Sequence, residues 1–120
     1  MVILCVEDDL GMLHYILRLL KADGHRVLAA GDGEAALKVS RSFSGCIDLL
    51  VSDVEMPQMN GLELRRIILA ERPNIRTLMM SGAFEGREKV SMLGLPFLQK
   101  PFYVEALRDA VEAVLGPKTL

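Results

Sequence analysis

Five short apolar runs alternate along the chain with stretches whose apolar residues recur every three or four positions. The runs are Val2–Val6, Arg26–Ala30, Ile47–Ser52, Ile75–Met80 and Leu95–Gln99. The first is continuously apolar and stops at acids, the signature of a strand buried on both faces of a parallel sheet. Between the runs lie helical patterns. Leu13, Ile16, Leu17 and Leu20 form one stripe of a first helix, with Asp8 or Asp9 placed to cap its start and Gly24 to end it. A second helix opens at Asp32 or Gly33 and runs to about Ser42, turning Ala36, Leu37 and Ser40 inward. A third spans Leu62 to about Ala70 and ends at Arg72-Pro73-Asn74. A fourth runs from Phe84 to Leu93, where Gly94 stops it. The fifth carries Val104, Leu107, Val111, Val114 and Leu115 and ends at Gly116-Pro117, leaving Lys118-Thr119-Leu120 as a short tail. Strand and helix in strict alternation predict an α/β fold, a parallel sheet with helices on both faces. No repeat or linker divides the 120 residues, so a single domain spanning 1–120 is expected.

Composition narrows the function classes. Hydrophobic residues make up 51%, enough for a core, and charged residues 25%. Fourteen Lys and Arg against sixteen Asp and Glu give a formal charge of −2. With no basic block, direct nucleic-acid binding is disfavoured. Cys5 and Cys46 belong to no CxxC or Cys/His cluster and read as reduced thiols of a cytoplasmic protein. No apolar run reaches the roughly 18 residues of a membrane span, and Met1 leads straight into a strand, so neither membrane segment nor leader is expected.

The chemistry gathers at the ends of the runs. Right-handed crossovers bring the carboxyl ends of all strands to one edge of the sheet, where open α/β folds bind ligands. Glu7-Asp8-Asp9 follows the first strand, Asp53 the third, Ser81 the fourth and Lys100 the fifth. Taken singly each has an ordinary explanation: acids capping a helix, a turn serine, a solvated lysine. Together they describe a site. Acids from neighbouring strands crowd one another unless a counter-charge intervenes. Oxygen ligands without His or Cys favour Mg²⁺. Lys100 and the Ser81 hydroxyl then suit a further anion, and carboxylate, metal, ammonium and hydroxyl together suit phosphoryl transfer, with Asp53 as covalent acceptor. His14 and His25 lie away from the strand ends and are not read as phospho-acceptors.

These residues resemble the receiver domain of bacterial two-component response regulators. Glu-Asp-Asp, the D-x-x-M-P-x-M-x-G element from Asp53 to Gly61, Ser81-Gly82 and Lys100-Pro101-Phe102 carry the resemblance across essentially the whole chain. It implies a doubly wound (βα)5, flavodoxin-like domain with a five-stranded parallel sheet ordered 2-1-3-4-5. It implies that Asp53 takes a phosphoryl group from a sensor histidine kinase or phosphotransfer protein. Glu7, Asp8, Asp53 and the backbone carbonyl of Glu55 would hold Mg²⁺, with Asp9 as a capping neighbour and the register of the triplet open by one position. Ser81 and Lys100 would receive the phosphoryl group, and Pro101 would follow a cis peptide. Phe97 matches the aromatic switch that follows Ser81 inward; lacking a hydroxyl, it would act by packing alone. The fourth helix, fifth strand and fifth helix would present the changed face to a downstream effector. The interval from Ser81 to Phe97 is short for the family, and Gly86 lies inside the fourth helix, so that helix is expected to be clipped or irregular.

Further expectations follow. Glu55 and Ala83 would flank the path of hydrolytic water and set phosphate lifetime. Met12, Tyr15 and Leu19 lie off the inward stripe of the first helix and would dock a kinase. Catalysis would amount at most to self-phosphorylation and autodephosphorylation at Asp53. The alternatives are a Mg²⁺-dependent phosphohydrolase using Asp53, against which Glu55 is only a near miss for a second Asp, and an interaction module that is never phosphorylated.

Overall fold

In the computed structural model, which describes residues 1–116, ten elements alternate as expected. They are β1 (Val2–Val6), α1 (Leu10–Ala22), β2 (Arg26–Ala30), α2 (Gly33–Ser42), β3 (Leu49–Asp53), α3 (Gly61–Glu71), β4 (Arg76–Ser81), α4 (Phe84–Met92), β5 (Phe97–Gln99) and α5 (Val104–Leu115). The five strands form one sheet in the order β2-β1-β3-β4-β5, with every pairing parallel. This is the flavodoxin-like order implied by the resemblance. Pro117 and the tail lie outside the described residues.

The continuous apolar runs serve two cores at once, because successive side chains of a strand point to opposite faces. Leu4, Val6, Leu50 and Met79 face a core with Leu64, Ile68 and Val90 from α3 and α4. Ile3, Cys5, Leu49, Val51, Leu78 and Met80 face a second core with Ile16, Leu20, Leu107 and Val111 from α1 and α5. The starts of α1, α2 and α3 are fixed by side chains that satisfy otherwise unpaired amides. Asp9 accepts from Met12 N at 3.0 Å, Asp32 from Ala35 N at 2.7 Å and Asn60 from Glu63 N at 2.9 Å. Arg72 does more than end α3. Its guanidinium donates to the Ser40, Phe43 and Gly45 carbonyls and to Ser40 Oγ, tying down the connection from α2 to β3.

Three strand boundaries differ from the sequence reading. The third strand begins at Leu49 rather than Ile47 and includes Asp53, which pairs with Met80; Asp48 instead uses its amide and carboxylate on Val2. The fourth begins at Arg76, because Ile75 N donates back to Arg72 O in a turn. The fifth is only Phe97–Gln99. Leu95 N bonds Val90 O, and Pro96 has no amide hydrogen for a ladder. Helix α4 is short, at nine residues, but regular; the irregularity expected at Gly86 is absent.

Candidate functional site

Sheet register builds the site. Val6 pairs with Ser52, Asp53 with Met80 and Ser81 with Gln99, so the residues that follow β1, β3, β4 and β5 emerge along one rim. Asp53 is the last residue of a strand buried along its whole length. Glu7 has no exposed surface, whereas Asp8 stands open to solvent. One carboxylate oxygen from each of Glu7, Asp8 and Asp53 falls within a group whose members lie no more than 4.8 Å apart. Asp9 turns away to cap α1.

Lys100 reaches this cluster from beyond β5. Its Nζ lies 2.6 Å from Glu7 Oε1 and 3.1 Å from Asp53 Oδ2. The Lys100-Pro101 peptide is cis, and Lys100 N donates to Ser81 O at 2.9 Å. Burial alone would lower the lysine's pKa, but hydrogen bonding and charge from Glu7 and Asp53 outweigh it, and the ammonium is held above its ordinary value. Burial pushes the Glu7 carboxyl up, with Lys100 opposing and Asp53 adding to the rise. Asp8 is also raised, by desolvation first and by its link to Glu7 second. One ammonium therefore serves three crowded carboxylates, and Asp53 Oδ1 is buried with no hydrogen-bond partner among the described residues. Buried polar atoms are rarely left unpaired without a ligand or a cost. An all-oxygen donor set with an orphaned carboxylate oxygen fits a hard divalent cation such as Mg²⁺. Cys5 lies near but is no ligand: burial, and Glu7 after it, push its thiol up to about 12.

The loop after Asp53 is held by a close approach. Gly61 N donates to Val54 O at 2.8 Å as α3 begins. A Cβ on Gly61 would overlap the backbone carbonyl of Asp53 and press on Ser52 Oγ. That explains the glycine closing the D-x-x-M-P-x-M-x-G element, which the sequence marks only as a loop residue. Gln58 supplies the turn with φ of 69°, a left-handed conformation in a residue other than Asn, Asp or Gly. We predict that Gly61→Ala, by displacing backbone rather than a flexible side chain, costs about 2 kcal/mol or more of stability. It should also weaken Mg²⁺ binding, since the acid and loop move together. Urea unfolding and calorimetric Mg²⁺ titration check both effects.

Ser81 is fully buried, and its hydroxyl donates to Glu55 Oε1 at 2.5 Å while accepting from Ala83 N at 3.0 Å. Sequence reasoning placed Glu55 near the site but missed this contact. It marked Gly86 only as a source of helix irregularity, whereas a Cβ there would overlap the Glu55 carboxylate and crowd Ser81 Oγ. A glycine inside a helix, where it is a poor former, was the available signal. Phe97 is half-buried at the sheet edge against the α3/α4 core. Of the expected docking row on α1, two of the three side chains are half-buried. Met12 and Leu19 pack against the core shared with α5, and only Tyr15 is exposed, with its ring 6.3 Å from that of Phe102.

Comparisons with known proteins agree with this geometry. The model of the response regulator receiver domain family matches residues 3–112. The sensor kinase CckA of Brucella abortus is 33% identical over 116 residues, 94% of this chain but 12% of that kinase. The chemotaxis protein CheY4 of Vibrio cholerae superposes with a TM-score of 0.83 at 27% identity, covering 95% of this chain and 98% of that one. TrrA of Thermotoga maritima, solved in complex with Mg²⁺-BeF, gives 0.80 at 27% identity over 93% of this chain and 96% of its own. No helix among the described residues is long and apolar enough to cross a membrane. The family match runs through all five strands and both cores, and the chain belongs to the response regulator receiver domains, the phospho-accepting modules of two-component signalling.

Proposed function

We propose that Asp53 is the phospho-acceptor and that residues 1–120 act as one receiver unit. The observation that carries this reading is the joining of Glu7, Asp8 and Asp53 in one cluster, with Lys100 on Asp53 Oδ2 and Oδ1 left unpaired. A carboxylate oxygen of Asp53 attacks the phosphorus of a phosphohistidine on a sensor kinase or phosphotransfer protein. The P–O bond forms as the P–N bond breaks, and the imidazole departs. Glu7, Asp8, Asp53 and the Glu55 carbonyl would hold Mg²⁺, which supplies charge neutralisation for phosphoryl oxygens when bound. Lys100 adds a fixed positive charge at Asp53 Oδ2, and catalysis is mainly positioning and electrostatics. That TrrA, similar to this chain, was solved in complex with Mg²⁺-BeF supports a Mg²⁺ site here.

The phosphoryl group adds roughly −1.5 to −2 of charge. Ser81 and Lys100 turn to it, Phe97 follows Ser81 by packing, and the α4-β5-α5 face changes. Exposed Phe84, Met92 and Leu93 around α4, and Tyr103 at 85% exposure before α5, suit that face to an effector. We place the domain in the cytoplasm, where such kinases present their phosphohistidine. A test is incubation of the chain with acetyl phosphate and Mg²⁺, read by intact mass. One added phosphoryl group, absent when EDTA replaces Mg²⁺, is expected; no metal-dependent adduct would refute the reading.

A further inference from the structure

We infer that Glu55 is a positioning residue of the switch: its carboxylate clasps the Ser81 hydroxyl in the resting domain, in space that Gly86 leaves free. This rests on the phospho-acceptor reading above and adds a restraint on Ser81. Ser81 Oγ carries one proton. Its shortest contact is Glu55 Oε1 at 2.5 Å, with Ala83 O farther off at 3.2 Å and Ala83 N donating to it at 3.0 Å. A phosphoryl oxygen is an acceptor, so Ser81 cannot serve it while its proton is given to Glu55. The two anions also repel, which opposes any shared arrangement. Engagement of Ser81 therefore requires the clasp to open.

Helix α4 makes the clasp possible. Gly86 is buried in its first turns, and any side chain there would meet both the Glu55 carboxylate and Ser81 Oγ. The helix thus sits directly on the pair, and opening the clasp removes what it rests against. Glu55, Glu85, Gly86 and Lys89 line one cleft between the β3-α3 loop and α4. Lys89 offers a released carboxylate a cationic destination in that cleft. A contact made in only one of two states biases the equilibrium by its own free energy. The clasp accordingly favours the resting arrangement and couples its loss to the α4 surface.

The test is a double-mutant cycle on Mg²⁺-dependent beryllofluoride binding, followed by fluorine NMR. Substituting the Glu55 side chain leaves its backbone carbonyl in place, so the metal donor set is retained. Glu55→Ala should tighten apparent affinity by about tenfold, the scale of one hydrogen bond to a charged group. Glu55→Gln, a neutral acceptor, should fall between. In a Ser81→Ala background the Glu55→Ala effect should shrink to less than about twofold, because the clasp acts through Ser81. No tightening in Glu55→Ala, or equal tightening in both backgrounds, overturns the clasp while leaving the phospho-acceptor reading intact. A wild-type chain that takes up no beryllofluoride with Mg²⁺ overturns both.

Discussion

Asp53→Asn is expected to reduce phosphoryl incorporation from a small phosphodonor to background while leaving the fold intact. The amide keeps the volume of the carboxylate, and Asp53 is 5% exposed at the end of a fully buried strand. Its backbone pairing with Met80 does not involve the side chain. The remaining amide oxygen can still accept from Lys100, so the lysine retains a partner. What disappears is the anionic nucleophile and one negative donor to the cation. An uncharged amide neither attacks phosphorus at a useful rate nor forms a stable acyl phosphate. Mg²⁺ affinity should fall as well, because one of three clustered carboxylates is neutralised. Acid-labile label persisting at the wild-type level in a variant of unchanged melting temperature would place the acceptor elsewhere.

Lys100→Met should be the most destabilising change at the rim. Lys100 is bonded to both Glu7 and Asp53, and Glu7 is wholly buried. Methionine fills the lysine stem but removes the charge. Breaking a buried ion pair from one side typically costs about 3–5 kcal/mol, because the remaining charge is left uncompensated. Lys100 is 19% exposed and Asp8 opens the cluster to water, which discounts the effect; about 2–4 kcal/mol is the expected loss without metal. Mg²⁺ should restore more stability to this variant than to the wild-type chain, since the ion supplies the missing positive charge. Thermal unfolding with and without Mg²⁺ reads both effects. A metal-free variant melting within about 2 °C of wild type would show that the lysine is not balancing the carboxylates.

Much of this was legible in the sequence, for identifiable reasons. Strand runs buried on both faces cannot hide in a sequence, since Ile3, Leu4 and Cys5 serve opposite cores and all three must be apolar. The chemistry at the strand ends was equally visible, because Asp53 and Lys100 interrupt apolar surroundings with charge. Strand boundaries were less so. Asp48 is spent on Val2, 46 positions away, and Ile75 on a turn back to Arg72 that an apolar run does not reveal. The Ser81–Glu55 contact joins residues 26 positions apart and depends on the descent of α4 at Gly86. No local pattern encodes such a meeting; a helix glycine hints at it without naming the partner.

The sheet also divides the rim mechanically. Asp53 leaves from β3, which is laddered on both sides, by β1 and by β4. Lys100 leaves from β5, a border strand of three residues with one neighbour. An added charge at the aspartate thus meets an anvil on one side and a spring on the other. If Asp53 is phosphorylated, displacement is expected toward the border, a direction of response set by strand order before any partner arrives.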